Sequence, residues 1–428
     1  MSLIDNLKNF LKTNKPYVKV TKIDTKGNRI LYEFETSEDL EKYFMKKSMF
    51  IEYIYNENID LSNVPSSILP IPLISNLLPV IWMTNSELIV EELDETFYNC
   101  IPNLKDSYSC MYENASFKGK VTAKKLIDNS YDSENEYISL FSYGADSLNT
   151  VLRYINEKPM LLTLWGADVS LKREEGWNAV KENVNQFAEE YELKNFFVKS
   201  DFRQFMNTNK LFEIYGESLN NNGNWWYAVQ HGIALISQAA IIAYILKVKT
   251  ILIASTYKHT KEDVLNKTNI ITCASSPIID NEFKFANCNT IHDSWELTRA
   301  QKIQNIINYS KENNVKFNMH VCWHSPLGIN CNICEKCART YMYIMAIGEN
   351  PNDYGFNIND EVIHQVETDF NKVVYQGKTV GGWSIHVETL YYWRENQKIF
   401  RQNEEYWKNT AMKWIFDVDF DELIENFD

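Results

Sequence analysis

The sequence predicts an α/β protein whose middle region, residues 131–345, contains a parallel, doubly wound sheet. Short apolar runs alternate with amphipathic helical segments throughout that region. The runs are predominantly apolar, which is typical of parallel strands covered by helices on both faces. Residues 1–130 predict an N-terminal α+β domain of unknown role, and residues 346–428 predict a mostly helical C-terminal extension.

The individual elements follow from the spacing of apolar residues along the chain. The N-terminal domain is expected to open with an amphipathic helix, and the alternating segment 29–35 predicts one of its strands. A long apolar segment at about 229–246 predicts a buried helix of the middle region. The predicted strands of that region are 137–141, 160–165, 196–199 and 250–254. In such sheets ligands bind at the carboxyl ends of the strands, so functional residues are expected there.

Composition narrows the classes of function. The 428 residues carry 43 Lys and Arg against 57 Asp and Glu, a formal charge of −14. Because an acidic chain repels phosphate backbones, general nucleic-acid binding is not expected. The apolar run at 232–246 is shorter than the roughly 20 residues that span a membrane, and the first residues do not resemble a signal peptide. We therefore expect a cytoplasmic protein without a membrane segment, whose eight cysteines stay reduced.

The loop 142–147 lies between the first predicted strand of the middle region and the helix that follows it. Backbone N–H groups at a helix start lack partners, and the helix dipole adds positive charge there, so this position favours an anion. Gly144 permits close approach of a phosphate, and the hydroxyls of Ser142 and Ser147 can donate to it. Asp146 suits a magnesium ion bound to that phosphate. The alternative is an ordinary turn with a Ser or Asp cap.

Two cations near the end of the third predicted strand are candidates for catalysis. Lys199 and Arg203 lie on the expected ligand side of the sheet, where positive charge would neutralise the charge of a bound phosphate. The alternative is that both side chains are simply solvated. We expect Asp146 and Ser147 of the loop to share the catalytic role with them.

Four cysteines near the end of the middle region predict a metal site. Cys322, Cys331, Cys334 and Cys337 follow the pattern C-x8-C-x2-C-x2-C. Four thiolates can close a tetrahedral shell around Zn²⁺ and leave no open position, so the zinc would be structural. An iron–sulfur cluster is the alternative.

The loop Ser142-Tyr143-Gly144-Ala145-Asp146-Ser147 resembles the Ser-Gly-Gly-X-Asp-Ser loop of the ATP pyrophosphatases, also called the PP-loop or adenine nucleotide alpha hydrolase superfamily. In that superfamily a Rossmann-like domain holds the β and γ phosphates on this loop while ATP is cut between its α and β phosphates. Tyr143 stands where the family has its first Gly, which implies either a narrower loop or loss of catalysis.

The loop followed by a four-cysteine cluster resembles 7-cyano-7-deazaguanine synthase and its relatives, over roughly residues 135–345. That resemblance implies nucleotide contacts at Trp165, Gly166 and Asp168. It also implies substrate contacts in two other segments, at His231, Ser275 and Asp280. Core packing is the alternative for Trp165 and His231, and a helix cap is the alternative for Asp280.

The resemblance implies an ATP-dependent, AMP-forming ligase that adenylates a carboxylate or carbonyl oxygen of a small molecule and installs nitrogen. ATP, Mg²⁺ and a structural Zn²⁺ would be its cofactors. Ammonia or sulfur would come free or from a donor protein, and a homodimer is one option for the assembly. The alternatives are a sulfur-inserting enzyme and an ATP-binding regulatory or scaffold protein without catalysis. The sequence does not identify the acceptor.

Overall fold

A computed structural model describes residues 15–55, 59–220, 224–322 and 324–427 of the chain. It is an α/β protein with one ten-stranded, mostly parallel sheet and a helical C-terminal region. This confirms the α/β class and the helical C-terminal region predicted from the sequence. The predicted N-terminal helix lies outside the described residues.

The strands of the sheet alternate in sequence with helices from residue 135 onward. They are β1 Tyr17–Lys26, β2 Arg29–Thr36, β3 Ser48–Ile54, β4 Glu87–Asp94, β5 Lys120–Ile127, β6 Asn135–Leu140, β7 Met160–Trp165, β8 Asn195–Ser200, β9 Val248–Ala254 and β10 Asn289–Asp293. Their order in the sheet is β10-β9-β6-β7-β8-β3-β2-β1-β4-β5. The four strands predicted in the middle region are β6 to β9, each within two residues of the predicted bounds.

The helices include two long ones in the C-terminal region, residues 346–428. They are α1 Ile71–Met83, α2 Glu95–Met111, α3 Ala145–Arg153, α4 Glu174–Glu190, α5 Thr208–Tyr215, α6 His231–Ile245, α7 Lys261–Asn266, α8 Pro277–Asp280, α9 Arg299–Asn313, α10 Glu335–Ala346, α11 Asp360–Val374, α12 Val387–Phe400, α13 Glu404–Trp407 and α14 Phe420–Glu425. A π-helical turn, Trp226–Gln230, leads directly into α6. Short 3-10 turns lie at Glu38–Tyr43, Ile155–Glu157, Glu217–Leu219, Pro351–Tyr354, Arg401–Asn403 and Ala411–Asp417.

Antiparallel pairing is found among the N-terminal strands. Strand β2 pairs antiparallel with both β1 and β3, and β3 pairs antiparallel with β8, with Ile51 opposite Ser200. Strand β4 pairs parallel with both β1 and β5. The prediction of a wholly parallel sheet for the middle region therefore missed the antiparallel partner of β8, because β3 is distant in sequence.

The chain forms two compact units. The first comprises 1–138, 196–253 and 260–292, and the second comprises 139–195, 254–259 and 293–428. In the first unit α1 packs against α6, and all thirteen residues of α1 are buried. In the second unit α3 packs on α9, and α10 packs on α12. The three domains predicted from the sequence, 1–130, 131–345 and 346–428, stay a prediction.

One helical stretch in the described part of the chain, Trp226–Ile245, has the length and apolarity to cross a membrane. Within this stretch, 78% of the apolar window is buried inside the protein, as in the core helix of a globular protein. The buried position agrees with the sequence prediction of a core helix.

Candidate functional site

The loop 142–147 forms the turn from β6 into α3, as the sequence predicts. Gly144 is the N-cap residue of α3, and no side chain caps this helix start. The N–H groups of the first helical turn therefore lack intrahelical partners and face an uncapped end. The hydroxyls of Ser142 and Ser147 lie 3.3 Å apart, and Ser147 Oγ donates to the Gly144 carbonyl at 3.2 Å. This arrangement can accept an anion at the start of α3.

Tyr143 holds a left-handed backbone conformation, with φ of +60°. Glycine adopts this conformation most readily. The backbone angle of Tyr143 therefore agrees with its position in the loop, where the Ser-Gly-Gly-X-Asp-Ser pattern has glycine. The Tyr143 ring is 6% exposed and packs against Phe141 and Phe187, with ring centroids 5.4 and 5.2 Å away. The side chain is thus part of the core and does not narrow the loop. Burial raises the pKa of Tyr143 to about 12.

Asp146, in the first turn of α3, is surrounded by cations. Arg299 Nη1 donates to Asp146 Oδ2 at 2.9 Å, and Lys302 Nζ lies 4.0 Å from Asp146 Oδ1. Burial on its own raises the pKa of Asp146, but the charges of Arg299, Lys302, Lys336 and Arg339 together lower it below its usual value. One carboxylate therefore lies within the field of four positive side chains.

Two of these cations, Arg299 and Lys302, are buried, and Lys336 and Arg339 are partly buried. Arg299 is 3% exposed and Lys302 is fully buried, with its ammonium donating to the Ser255 carbonyl at 2.5 Å. Burial first, and then Arg299, lowers the pKa of Lys336. Arg339 Nε lies 3.6 Å from Glu335 Oε2, so it has its own acidic neighbour.

Polar atoms in this cluster remain without a hydrogen-bond partner. Within the described part of the chain, Arg299 Nε and Nη2 and Asp146 Oδ1 are buried and make no hydrogen bond. A buried donor without an acceptor costs about 1–3 kcal/mol, and more when it is charged. An anion placed at the start of α3 would give the free guanidinium nitrogens an acceptor.

The four predicted metal ligands come together in the second unit. The Sγ atoms of Cys322, Cys331, Cys334 and Cys337 all lie within 4.8 Å of one another, and those of Cys322 and Cys334 are 3.8 Å apart. A tetrahedral shell with Zn–S of about 2.3 Å requires S···S distances of about 3.8 Å. Hydrogen bonds from the other three thiols lower the pKa of Cys322, and hydrogen bonding to the Cys322 sulfur raises the pKa of Cys334 and Cys337. The donor set fits a zinc ion.

Backbone and amide groups hold the cysteine loop in place. Backbone N–H groups of Ser325 and Cys334 donate to the sulfurs of Cys322 and Cys331 at 3.2 and 3.3 Å. Asn330 is buried and its amide donates to the Met319 carbonyl at 2.7 Å. Such bonds favour thiolate and orient the sulfurs before a metal arrives.

We call the loop 142–147 together with Arg299, Lys302, Lys336 and Arg339 the candidate anion site. The cysteine cluster shares a helix and a loop contact with it. Cys334 is the N-cap residue of α10, and Lys336 and Arg339 lie in the first turns of that helix. On the other side, the His320 N–H donates to the Tyr143 carbonyl at 2.9 Å, two residues before Cys322. A metal bound by the cysteines would therefore fix both the loop 142–147 and two of its cations.

Five other predicted site residues lie in the first unit, whereas the loop lies in the second. Lys199 is opposite Glu52 in the β3–β8 ladder, and the Arg203 guanidinium lies over the Trp226 ring, 4.2 Å from its centroid. Ser275 and Asp280 do come together: Ser275 Oγ donates to Asp280 Oδ2 at 2.9 Å.

Asp280 has a second partner, His292, and His231 lies beside Trp226 in the same unit. The Asp280 carboxylate also lies 2.8 Å from His292 Nδ1, forming a buried pair. His231 begins α6, and its ring centroid is 5.2 Å from that of Trp226. The predicted roles of His231, Ser275, Asp280, Lys199 and Arg203 stay predictions.

The predicted nucleotide contacts after β7 are in the second unit. Trp165 stacks on Trp177 with the rings nearly parallel and their centroids 5.3 Å apart. Gly166 is buried with φ of +109°, and its N–H donates to the Val169 carbonyl at 3.0 Å. Asp168 is exposed and acts electrostatically on Lys336.

Sequence reasoning missed the four cations around Asp146. They form two pairs spaced three residues apart, Arg299 with Lys302 and Lys336 with Arg339, each on the first turns of a helix. Residues at this spacing face the same side of a helix. One pair directly follows the Thr298 cap, and the other straddles the last cysteine of the motif, so this spacing is a signal that could have found them.

No protein-family model, curated protein or solved structure matches this chain. The candidate site is therefore defined by its geometry. An uncapped helix start, a small-residue loop, two buried and two partly buried cations and a four-cysteine cluster belong to one compact unit.

Proposed function

We propose that this chain is an ATP-dependent, AMP-forming ligase of the ATP pyrophosphatase superfamily. The observation that carries the proposal is the contact of Arg299 and Lys302 with Asp146 at the uncapped start of α3, with Lys336 and Arg339 acting electrostatically on the same carboxylate. Buried positive charge at a helix N-terminus suits the phosphates of a nucleotide. We propose a cytoplasmic location and a small-molecule acceptor as part of the same hypothesis.

In the proposed reaction the loop 142–147 and its cations bind the β and γ phosphates of ATP. A carboxylate or carbonyl oxygen of the acceptor attacks the α-phosphorus, and the bond from that phosphorus to the β-phosphate oxygen breaks. Pyrophosphate leaves, and its negative charge is stabilised by Arg299 and Lys302, which are already in place. A nitrogen nucleophile then attacks the activated carbon, loses a proton and displaces AMP.

The bound metals have separate roles in this proposal. Mg²⁺ on the ATP phosphates would neutralise part of their charge, with Asp146 as the nearest carboxylate. Zn²⁺ held by Cys322, Cys331, Cys334 and Cys337 would be structural, because four thiolates leave it no open position.

The sulfur-inserting alternative has less support from the cysteines. All four cysteines outside the metal cluster belong to the first unit, whereas the loop 142–147 belongs to the second. Burial raises the pKa of Cys100, Cys273 and Cys288 to about 12, which keeps these thiols protonated and unreactive. Cys110 is exposed on α2.

A nucleotide-binding protein without turnover is the second candidate. One observation favours it: the Asp146 carboxylate already accepts a hydrogen bond from Arg299, so a magnesium ion would compete with that pair. The two candidates differ in whether pyrophosphate is released.

Calorimetric titration with Mg·ATP, followed by a screen of carboxylate acceptors for pyrophosphate release, tests the proposal. We expect micromolar binding and acceptor-dependent release of pyrophosphate that is lost in Asp146→Asn. Binding without release across the screen would support the second candidate. Absence of ATP binding would contradict both.

A further inference from the structure

The helix α12 of the C-terminal region lies beside the cations of the anion site, within the same compact unit. The Arg339 guanidinium lies over the ring of Tyr392, 4.7 Å from its centroid. A guanidinium over a tyrosine face within about 6 Å is a cation–π contact, and it is stronger where the pair is shielded from water. Tyr392 is half-buried, so this contact is protected from solvent.

The neighbours of Tyr392 on α12 join the helices that carry the cations. Trp393 Nε1 donates to Glu335 Oε1 at 3.0 Å, and Asn396 Nδ2 donates to the Arg339 carbonyl at 2.9 Å. Both bonds attach α12 to the start of α10.

A second set of bonds attaches α12 to the elements that hold the other cations. Thr298, the cap of α9, donates through Oγ1 to Glu395 Oε1 at 3.4 Å, one residue before Arg299. The Tyr392 hydroxyl donates to the Thr256 carbonyl at 3.4 Å, one residue after Ser255, which accepts from Lys302.

We propose that α12 completes the anion site and that Tyr392 is a positioning residue, whose ring face holds the Arg339 guanidinium in the orientation that binds a phosphate-bearing ligand. This rests on the proposed function, because it takes the ligand to be a polyphosphate.

Two neighbouring side chains, Glu335 and Tyr392, restrict the orientation of the Arg339 guanidinium. Tyr392 covers the face of its guanidinium, and Glu335 Oε2 lies 3.6 Å from its Nε, an ion pair without a hydrogen bond. A planar group stacked on a ring face and attracted by a carboxylate at its edge has a restricted range of orientations. A ligand that meets pre-oriented donors does not have to restrict the side chain on binding.

Binding of inorganic pyrophosphate, measured by calorimetry, tests the proposal. Tyr392→Phe keeps the aromatic face and should bind within about twofold of the wild type. Tyr392→Leu keeps an apolar side chain but loses the face, and should bind about threefold to tenfold more weakly. In an Arg339→Met background, Tyr392→Leu should have no further effect, since the two residues act as one unit.

The same helix offers a matched control. Tyr391 is 45% exposed and carries its own cation–π contact, with Arg394 5.0 Å from its ring centroid. Tyr391→Leu removes an equivalent contact outside the site and should leave pyrophosphate affinity unchanged. Thermal unfolding verifies that each variant folds, and Tyr392→Met replaces Tyr392→Leu if the latter does not.

Three outcomes separate the hypotheses. Weaker binding by Tyr392→Leu, with Tyr392→Phe intact, supports the proposal. Equal binding by wild type and Tyr392→Leu overturns the role of Tyr392 while the anion site stands. Absence of pyrophosphate binding by the wild type overturns the anion site and the role of Tyr392 together.

Discussion

The Arg299 guanidinium donates a 2.9 Å hydrogen bond to the Asp146 carboxylate and joins the first turn of α9 to the first turn of α3. Arg299 uses only part of its hydrogen-bonding capacity in this pair, because its Nε and Nη2 have no partner in the described part of the chain. Lys302 lies on the other side of the same carboxylate. The pair thus marks the centre of a site that presents more donors than its protein acceptors use.

Removing the guanidinium should weaken anion binding. In Arg299→Met we expect pyrophosphate affinity to fall by about tenfold or more, because a desolvated charge that meets an anion contributes several kcal/mol. Isothermal titration calorimetry measures the change. Lys311→Met, at the far end of the same helix and on an exposed lysine, is the matched control and should bind as the wild type does. Equal affinity in both variants would contradict the assignment of Arg299.

The stability contributed by Asp146 should depend on pH. Its pKa is lowered in the folded protein, since the nearby cations outweigh the effect of burial. A group with a lowered pKa stabilises the fold above its unfolded pKa of about 3.9 and loses that effect as the pH falls through its folded pKa.

We therefore expect Asp146→Asn to lower the free energy of unfolding by about 1.5–3 kcal/mol near pH 7, as for a hydrogen bond to a charged group. The difference between wild type and variant should shrink as the pH falls below about 4. Urea unfolding from pH 3 to pH 7 measures it. A difference that stays constant over this range would show that the carboxylate is not held ionised by its neighbours.

Removal of zinc should weaken the anion site as well as the fold. We expect the purified protein to carry zinc, and Cys331→Ser to lose it. Because Cys334 caps the helix that carries Lys336 and Arg339, pyrophosphate affinity should fall by about fivefold or more when zinc is removed.

Plasma emission spectrometry and calorimetry measure metal content and affinity on the same samples. Cys110→Ser, an exposed cysteine outside the cluster, is the control and should retain both. Iron in place of zinc in the purified protein would show that the metal assignment is wrong. Unchanged pyrophosphate affinity in the zinc-free protein would refute the coupling between the cysteine cluster and the anion site.

Gly377 and Gly382, in the C-terminal region, both have a positive φ but differ in how close a Cβ added to each would come to neighbouring atoms. Gly382 has φ of +82°, and an added Cβ would lie 2.8 Å from the Cys334 Cβ. Gly377 has φ of +61° and no atom within 4 Å of such a Cβ.

We expect Gly377→Ala to cost about 1 kcal/mol of unfolding free energy, from its backbone angle alone. Gly382→Ala should cost about 2–4 kcal/mol and reduce zinc content, because the methyl group pushes against a metal ligand. Chemical denaturation and metal analysis measure both effects. An equal loss of unfolding free energy in the two variants would mean that a methyl group at position 382 does not disturb the cysteine cluster.

The parts of the fold and site that sequence reasoning found depend on local patterns. The strand Met160–Trp165 is an apolar run interrupted only by Thr163, and the cysteines of the metal cluster lie within a stretch of sixteen residues. The loop 142–147 was found because a small-residue segment between a strand and a helix is recognisable without knowing the rest of the structure. The structure also explains Tyr143, whose ring is anchored among Phe141 and Phe187 while its backbone keeps a glycine-like angle.

The parts that sequence reasoning missed depend on contacts between distant segments. Arg299 meets Asp146 only because α9 packs on α3, across 153 residues of sequence. The strand that carries Lys199 pairs antiparallel with β3, which the local pattern could not reveal. The catalytic role of Lys199 stays a prediction. Arg203 stacks on Trp226, so its charge has a partner in the first unit.

The most direct test of the nucleotide site is Mg·ATP binding by the wild type and by Gly144→Val, measured by isothermal titration calorimetry. Gly144 has an ordinary extended backbone, and an added Cβ would meet its nearest atoms at 3.4 Å, so the variant should fold, as circular dichroism will verify. The bulk of valine, however, would occupy the space where a phosphate approaches the start of α3. We predict micromolar binding by the wild type that is lost in the variant. Absence of binding by the wild type, or equal binding by the folded variant, would show that the loop 142–147 is an ordinary turn and not a phosphate site.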